Sequence, residues 1–134
     1  MVRFRILDFG FRIADFRMTK DDFKLRTRQF ALRAIKLVEA LPKGRSADVI
    51  SRQLLRSATS VGANYRAACR ARSTAEFLSK MGIVEEEADE CVYWLELVAD
   101  SELLPETRLQ EILDEANQIV AMTVASIKTA RKSL

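Results

Sequence analysis

Four arginines, Arg52, Arg56, Arg66 and Arg70, recur at spacings of four, ten and four residues in the middle of the chain. At about 100° per residue, a helix would gather all four on one face. Such a row suits contact with nucleic-acid phosphates. It equally suits a solvated face partly tied up in salt bridges, and the residues leave both readings open. No aromatic residue interleaves the row, so base stacking along it is not expected. Lys24, Arg28 and Lys36 are candidate supporting cations. The opposite charge is concentrated in EEEADE at 85–90. Glu86 and Glu90 form an i,i+4 pair that could hold a cation, but acidic helix surfaces usually carry no site.

Catalytic chemistry has little to work with. The chain contains no histidine, the usual general base near neutral pH. It has no GxSxG nucleophile elbow, no phosphate-binding glycine loop and no ExxH pair of the diiron bundles. Cys69 and Cys91 do not form a CxxC pair. On consecutive antiparallel helices turning near Thr74 they would lie roughly 18 Å apart along the axis, too far for a disulfide. They read as small buried hydrophobes. The expectation is a non-enzyme without metal or cofactor.

Helices must position these groups. The 134 residues suit one domain with a real core, and four Gly and two Pro leave few places for turns. Phe23, Thr27, Phe30, Ala34, Leu37 and Leu41 fall on one stripe, predicting a first helix over about 22–41, ended by Pro42-Lys43-Gly44. Ser46 is the expected N-cap of a second helix, whose stripe of Ile50, Leu54, Ser57, Val61, Asn64/Tyr65 and Ala68 runs to about Arg72. Ser73-Thr74-Ala75-Glu76 matches a capping box opening a third, with Phe77, Met81, Val84, Ala88, Cys91, Leu95 and Val98 inward. Pro105 fits the first turn of a fourth, which carries Leu109, Ile112, Ala116, Ile119, Val120, Thr123 and Ile127. Four stripes on short loops predict an all-α, antiparallel up-down bundle over 18–134.

Residues 1–17 stand apart. FRILDF at 4–9 is nearly duplicated as FRIADF at 11–16, and the pattern fits neither a helix nor a strand uniquely. Met18, followed by Thr-Lys-Asp-Asp, is a candidate natural start, which would make 1–17 an extension. An intact Met1 end in mass spectrometry of natively expressed protein would refute that. No apolar run reaches the about 18 residues of a membrane span and no clean signal core opens the chain, so a cytoplasmic protein is expected. Charge is uneven: residues 1–72 hold 17 Lys/Arg and 6 Asp/Glu, a net of +11, whereas 73–134 hold 5 and 13, a net of −8. These halves can neutralise each other within the fold, attract between subunits, or leave a basic face for phosphates.

With Val61 inward, Arg52, Arg56, Arg66 and Arg70 point outward, together with Thr59 and Ala63, and small residues line both flanks. Gly62 costs about 1 kcal/mol against Ala inside a helix, which implies a packing reason for it. Asn64 at the core edge reads as a satisfied amide rather than a ligand. On the third helix Ile83, Trp94 and Leu97 lie off the core stripe, with Tyr93 beside them. A helix apolar on two sides is buried on two sides, so a subunit interface of Ile83, Glu87, Glu90, Trp94 and Leu97 is expected. There a neighbour's basic second helix could meet the acidic third helix, head to tail.

The stretch RSATSVGANYRAACRARSTAEFLSKMGIVEEEADECVYWLELV resembles the bacterial four-helix-bundle proteins encoded in intervening sequences of 23S ribosomal RNA genes. FALRAIKLVEALPKGRSADVISRQLLRSATSVGANY is similar to their first helix and the start of their second. Arg56 with Ser60 and Asn64, then Ser73 to Phe77 and the Glu-rich third helix, carry the resemblance, which spans about Met18 to Arg131. Where the commoner pattern has an Ala-Glu-Gly-like step after the Asn, Tyr65-Arg66-Ala67-Ala68 stands here. The resemblance implies a left-handed up-down four-helix bundle assembling into a homopentamer, and a link to ribosomal RNA. Similar barrels are accessory nucleic-acid-binding subunits of diversity-generating retroelements. It brings no catalytic residues.

Overall fold

The computed structural model describes residues 18–134. The FRILDF and FRIADF copies and the proposed boundary at Met18 therefore fall on or beside residues outside the described ones. Four helices follow one another: α1 (Lys20–Ala40), α2 (Arg45–Cys69), α3 (Thr74–Asp100) and α4 (Glu106–Arg131). Each packs on its neighbours in sequence, and α1 closes the ring against α4. The α2–α3 seam is the most closely packed and the α1–α4 seam the least. Short connections between long helices leave only antiparallel neighbours. The contacts agree: Phe23 meets Tyr65 edge-on at 4.6 Å while Thr27 meets Gly62, and Arg26 reaches Glu115 while Arg33 reaches Glu111.

Side-chain and backbone caps set the helix ends. α1 begins two residues earlier than the apolar stripe suggests, because Thr19 forms a full capping box with Asp22, two bonds of 3.1 Å. Those bonds hold the Asp22 carboxyl below its usual range. α2 starts one residue before the expected Ser46 cap. Gly44 takes the cap position, its carbonyl accepts from Asp48 N, and Ser46 sits inside the first turn. α2 also stops at Cys69 rather than Arg72, because Arg70 N bonds back to Ala67 and tightens the last turn. Ser73 Oγ accepts from Glu76 N as a capping box requires, but the Glu76 carboxylate takes Arg72 N instead of Ser73 N. Pro105 is the N-cap of α4 and not its first helical residue. α3 ends in a Schellman turn: Leu103 N reaches Val98 O and Glu102 N reaches Ala99 O. Glu102 takes the left-handed position there, at φ 57°.

The stripes read from the sequence form the core. All of Phe23, Thr27, Phe30, Ala34 and Leu37 are buried, as are Ile50, Leu54, Ser57, Val61, Tyr65 and Ala68 of α2. Phe77 and Val120 are half-buried against them. The buried hydroxyls of Thr27, Ser57 and Thr123 each donate to a carbonyl of their own helix. Among the described residues no buried side-chain polar atom is left without a partner. Cys91 is buried and Cys69 half-buried, both as free thiols. Burial pushes the Cys91 thiol up to about 12, and its Sγ donates to Ser57 Oγ.

Candidate nucleic-acid interface

All four arginines of the α2 row are exposed, together with Thr59 and Ala63 between them. Their electrostatic situations differ. Arg56 donates to Glu87 at 2.9 Å and to Glu90, both on α3 of the same subunit. Trp94 Nε1 also donates to Glu90, at 3.1 Å. The Arg56 guanidinium, helped by Trp94, holds the Glu90 carboxyl below the ordinary carboxylate range. Arg52 forms a long i,i+4 pair with Asp48 at 3.5 Å, open to solvent. Arg66 and Arg70 have no acidic partner among the described residues. The row therefore divides into one neutralised, one weakly paired and two free guanidiniums.

Two of the supporting cations stand across from Arg66. Lys24 and Arg28 of α1 and Arg66 of α2 line a groove of about 710 Å³ between these helices. Its floor is small: Thr27, Ala31, Gly62 and Ala63, with Leu25 at the lip. Gly62 has the packing role its cost implied, since a Cβ there would come within 3.3 Å of Thr27 Oγ1. Lys36 is elsewhere, grouped with Arg33, Arg108 and Glu111 beside α4. Asn64 is half-buried and donates to Ser60 O and Oγ on its own helix.

The residues expected at a subunit interface are not one exposed patch. Ile83 is 36% exposed. Trp94 and Leu97 are half-buried and packed against their own subunit's core. Glu87 and Glu90 are held by Arg56. Glu87 and Glu90 lie on the flank of α3 that faces α2, and Trp94 is tied to that flank through Glu90. Three of the exposed large apolar residues share α1, namely Leu25 at 56%, Leu32 at 53% and Ile35; Val49 of α2 and the terminal Leu134 are others. Tyr93 of α3 is also exposed. The α1 ridge was legible as a second stripe at spacings of seven and three, opposite the core stripe, but the core periodicity drew attention from it.

No group of three or more His, Cys, Asp or Glu side chains able to hold a metal occurs among the described residues. None of the described helices is long and apolar enough to cross a membrane.

Comparison with known proteins agrees with this architecture. No curated protein matches the chain. A solved structure of a protein of unknown function from the S23 ribosomal protein family of Bacteroides thetaiotaomicron VPI-5482 is 35% identical, with a TM-score of 0.77. The alignment covers 83% of this chain and 99% of that one. The profile described as 23S rRNA-intervening sequence protein matches residues 21–125, which takes in α2 and α3 entirely and most of α1 and α4. The chain belongs to the 23S rRNA-intervening sequence protein family.

Proposed function

We propose that this protein is a non-enzymatic, homo-oligomeric bundle that binds RNA or DNA through its arginine-rich α2 surface. The observation that carries this reading is the exposure of Arg66 and Arg70 without carboxylate partners among the described residues, with Arg66 opposite Lys24 and Arg28. Unneutralised cations on a rigid face attract phosphates and release counterions on binding. Arg52 adds to the same face, and Arg56 contributes less because Glu87 and Glu90 compensate its charge. Self-association is supported by the exposed Leu25, Leu32 and Ile35 ridge and by Ile83 and Tyr93. A head-to-tail contact between unlike faces closes into a ring when the rotation permits. The family resemblance suggests five subunits, and a cytoplasmic setting belongs to the same reading.

The test is a gel shift with RNA and with DNA at low salt, alongside light scattering of the protein with and without RNA. Binding that weakens steeply with salt supports the reading. No shift with either nucleic acid overturns its binding half, and a monomeric mass overturns its assembly half. An oligomeric mass with no shift would favour the second reading, a scaffold or protein-interaction module with no nucleic-acid role. The α1 apolar ridge is the feature that favours it.

A further inference from the structure

We propose that the groove between α1 and α2 is the phosphate-binding track, holding successive phosphates of one nucleic-acid strand between Lys24 and Arg28 on one wall and Arg66 on the other. This rests on the nucleic-acid reading above and assigns it to particular atoms. Lys24 and Arg28 are one turn apart on α1, about 6 Å along the axis. Because α1 and α2 run antiparallel, the Thr27–Gly62 contact brings Arg66 opposite them. Among the described residues no carboxylate lines the groove, so the charged groups a phosphate meets on its described walls are cations.

The floor explains why this stretch of α2 is built from small residues. Gly62, Ala63 and Ala31 carry nothing that would fill the trough, and the Thr27 hydroxyl is already committed to Lys24 O at 3.0 Å. The volume of about 710 Å³ lies within the roughly 300–1,000 Å³ usual for ligand sites. Leu25 offers apolar contact at the lip, but among the described residues no aromatic side chain lines the walls. The track therefore grips phosphates without reading bases. Arg52 lies more than two turns of α2 from Arg66 and is not among the groove residues.

The experiment is fluorescence anisotropy with a short labelled single-stranded RNA of mixed sequence, titrated at several salt concentrations. The same sequence as a duplex, and inorganic phosphate as competitor, separate a strand from a duplex and from a free anion. Ala63→Glu places a carboxylate on the exposed floor without touching the core and should weaken binding by about tenfold or more. Lys24→Gln combined with Arg66→Gln should lower the slope of log K against log salt by about 1.4, about 0.7 for each phosphate contact. Arg52→Gln should change affinity by about twofold at most. Circular dichroism and light scattering establish that each variant keeps its fold and mass. Ala63→Glu binding as tightly as wild type overturns the groove while leaving the broader reading intact. So does Arg52→Gln costing as much as the groove variants, a groove variant that changes the oligomeric mass, or tighter binding of the duplex than of the strand. Displacement of the RNA by millimolar inorganic phosphate would show a free-anion site in place of a strand track. Wild-type protein that binds no RNA in any form overturns both.

Discussion

Removing the Arg26 guanidinium should loosen α1 from the bundle. Arg26 donates to both oxygens of Glu115, at 2.8 and 2.9 Å, to Gln118, and more weakly to Met122 Sδ at 3.7 Å. The two charged side chains are 23% and 16% exposed, so solvent screens this pair less than one at the surface. The pair bridges α1 and α4, the least closely packed seam. Arg26→Ala leaves Glu115 charged and largely desolvated. Losing bonds to a charged group costs about 1.5–3 kcal/mol, and stranding a fully buried partner about 3–5. The residual exposure places the expected loss near 2 kcal/mol. Urea unfolding followed by circular dichroism, at fixed protein concentration, should show a lower midpoint with an unchanged slope. Arg26→Met with Glu115→Leu should recover most of the loss, because apolar side chains of similar volume need no counter-charge. Hydrogen exchange should locate the new openings in α1 first. If Arg26→Ala lies within about 0.5 kcal/mol of wild type, the pair does not fasten the seam and the argument fails.

Three further outcomes follow from the same contacts. Glu102 occupies the left-handed position of the Schellman turn, which costs a non-glycine residue about 1 kcal/mol, so Glu102→Gly should raise stability by roughly 0.5–1 kcal/mol; a loss would mean the side chain does something the turn does not require. Gly62→Ala should recover less than the about 1 kcal/mol of helix propensity, because its Cβ meets the buried, tethered Thr27 Oγ1 at 3.3 Å; in a Thr27→Ala background it should recover more, and equal effects in both would reject the contact. Glu90 has a folded pKa below its ordinary 4.5, so its contribution is present above that value and is lost as pH falls through the folded value. Arg56→Gln should therefore flatten the acid-side decline of the urea midpoint, and an unchanged curve would count against the Arg56–Glu90 pair.

The core was legible because a helix repeats its inward face every three or four residues, and every α2 position of that stripe except the half-buried Asn64 is buried. Helix ends were harder. Ser46 has the chemistry of a cap, but nothing local forbids the backbone from turning earlier, and Gly44 does so. The Thr-Lys-Asp-Asp run after Met18 reads as a helix start and is one, with Thr19 as cap, although the apolar stripe alone put the helix at Asp22. The arginine row was found as a face, yet sequence could not tell which member would be neutralised. That depends on the α2–α3 register, which sets Arg56 against Glu87 and Glu90, 31 and 34 residues away. The partial burial of Trp94 and Leu97 within their own subunit was not legible for a related reason. A wheel gives an angle from the core, and only the packing of α2 against α3 decides how far along that angle burial extends.

The uneven charge of the chain takes its meaning from the connectivity. In a bundle whose neighbours in sequence are neighbours in space, the first half of the chain is α1 with α2 and the second is α3 with α4. A net of +9 in residues 18–72 (13 Lys/Arg, 4 Asp/Glu) and −8 in 73–134 thus becomes two oppositely charged sides of one body, not a mixture. Where the sides meet, they neutralise: Arg26 with Glu115, Arg33 with Glu111, and Arg56 with Glu87 and Glu90 all join one half to the other. Those pairs lie at the α1–α4 and α2–α3 seams. The α1–α2 seam is the one farthest from the acidic helices, and Lys24, Arg28 and Arg66 line a groove there with no carboxylate among its described residues. A basic surplus at that seam is the expected result of this topology acting on this sequence. The same separation makes the acidic side of a second subunit a competitor for whatever the basic side binds. Self-association through these sides and nucleic-acid binding should then oppose each other, and added RNA would shift the oligomer towards smaller species. If RNA and assembly instead reinforce each other, subunits join through the apolar α1 ridge and leave the basic seam open.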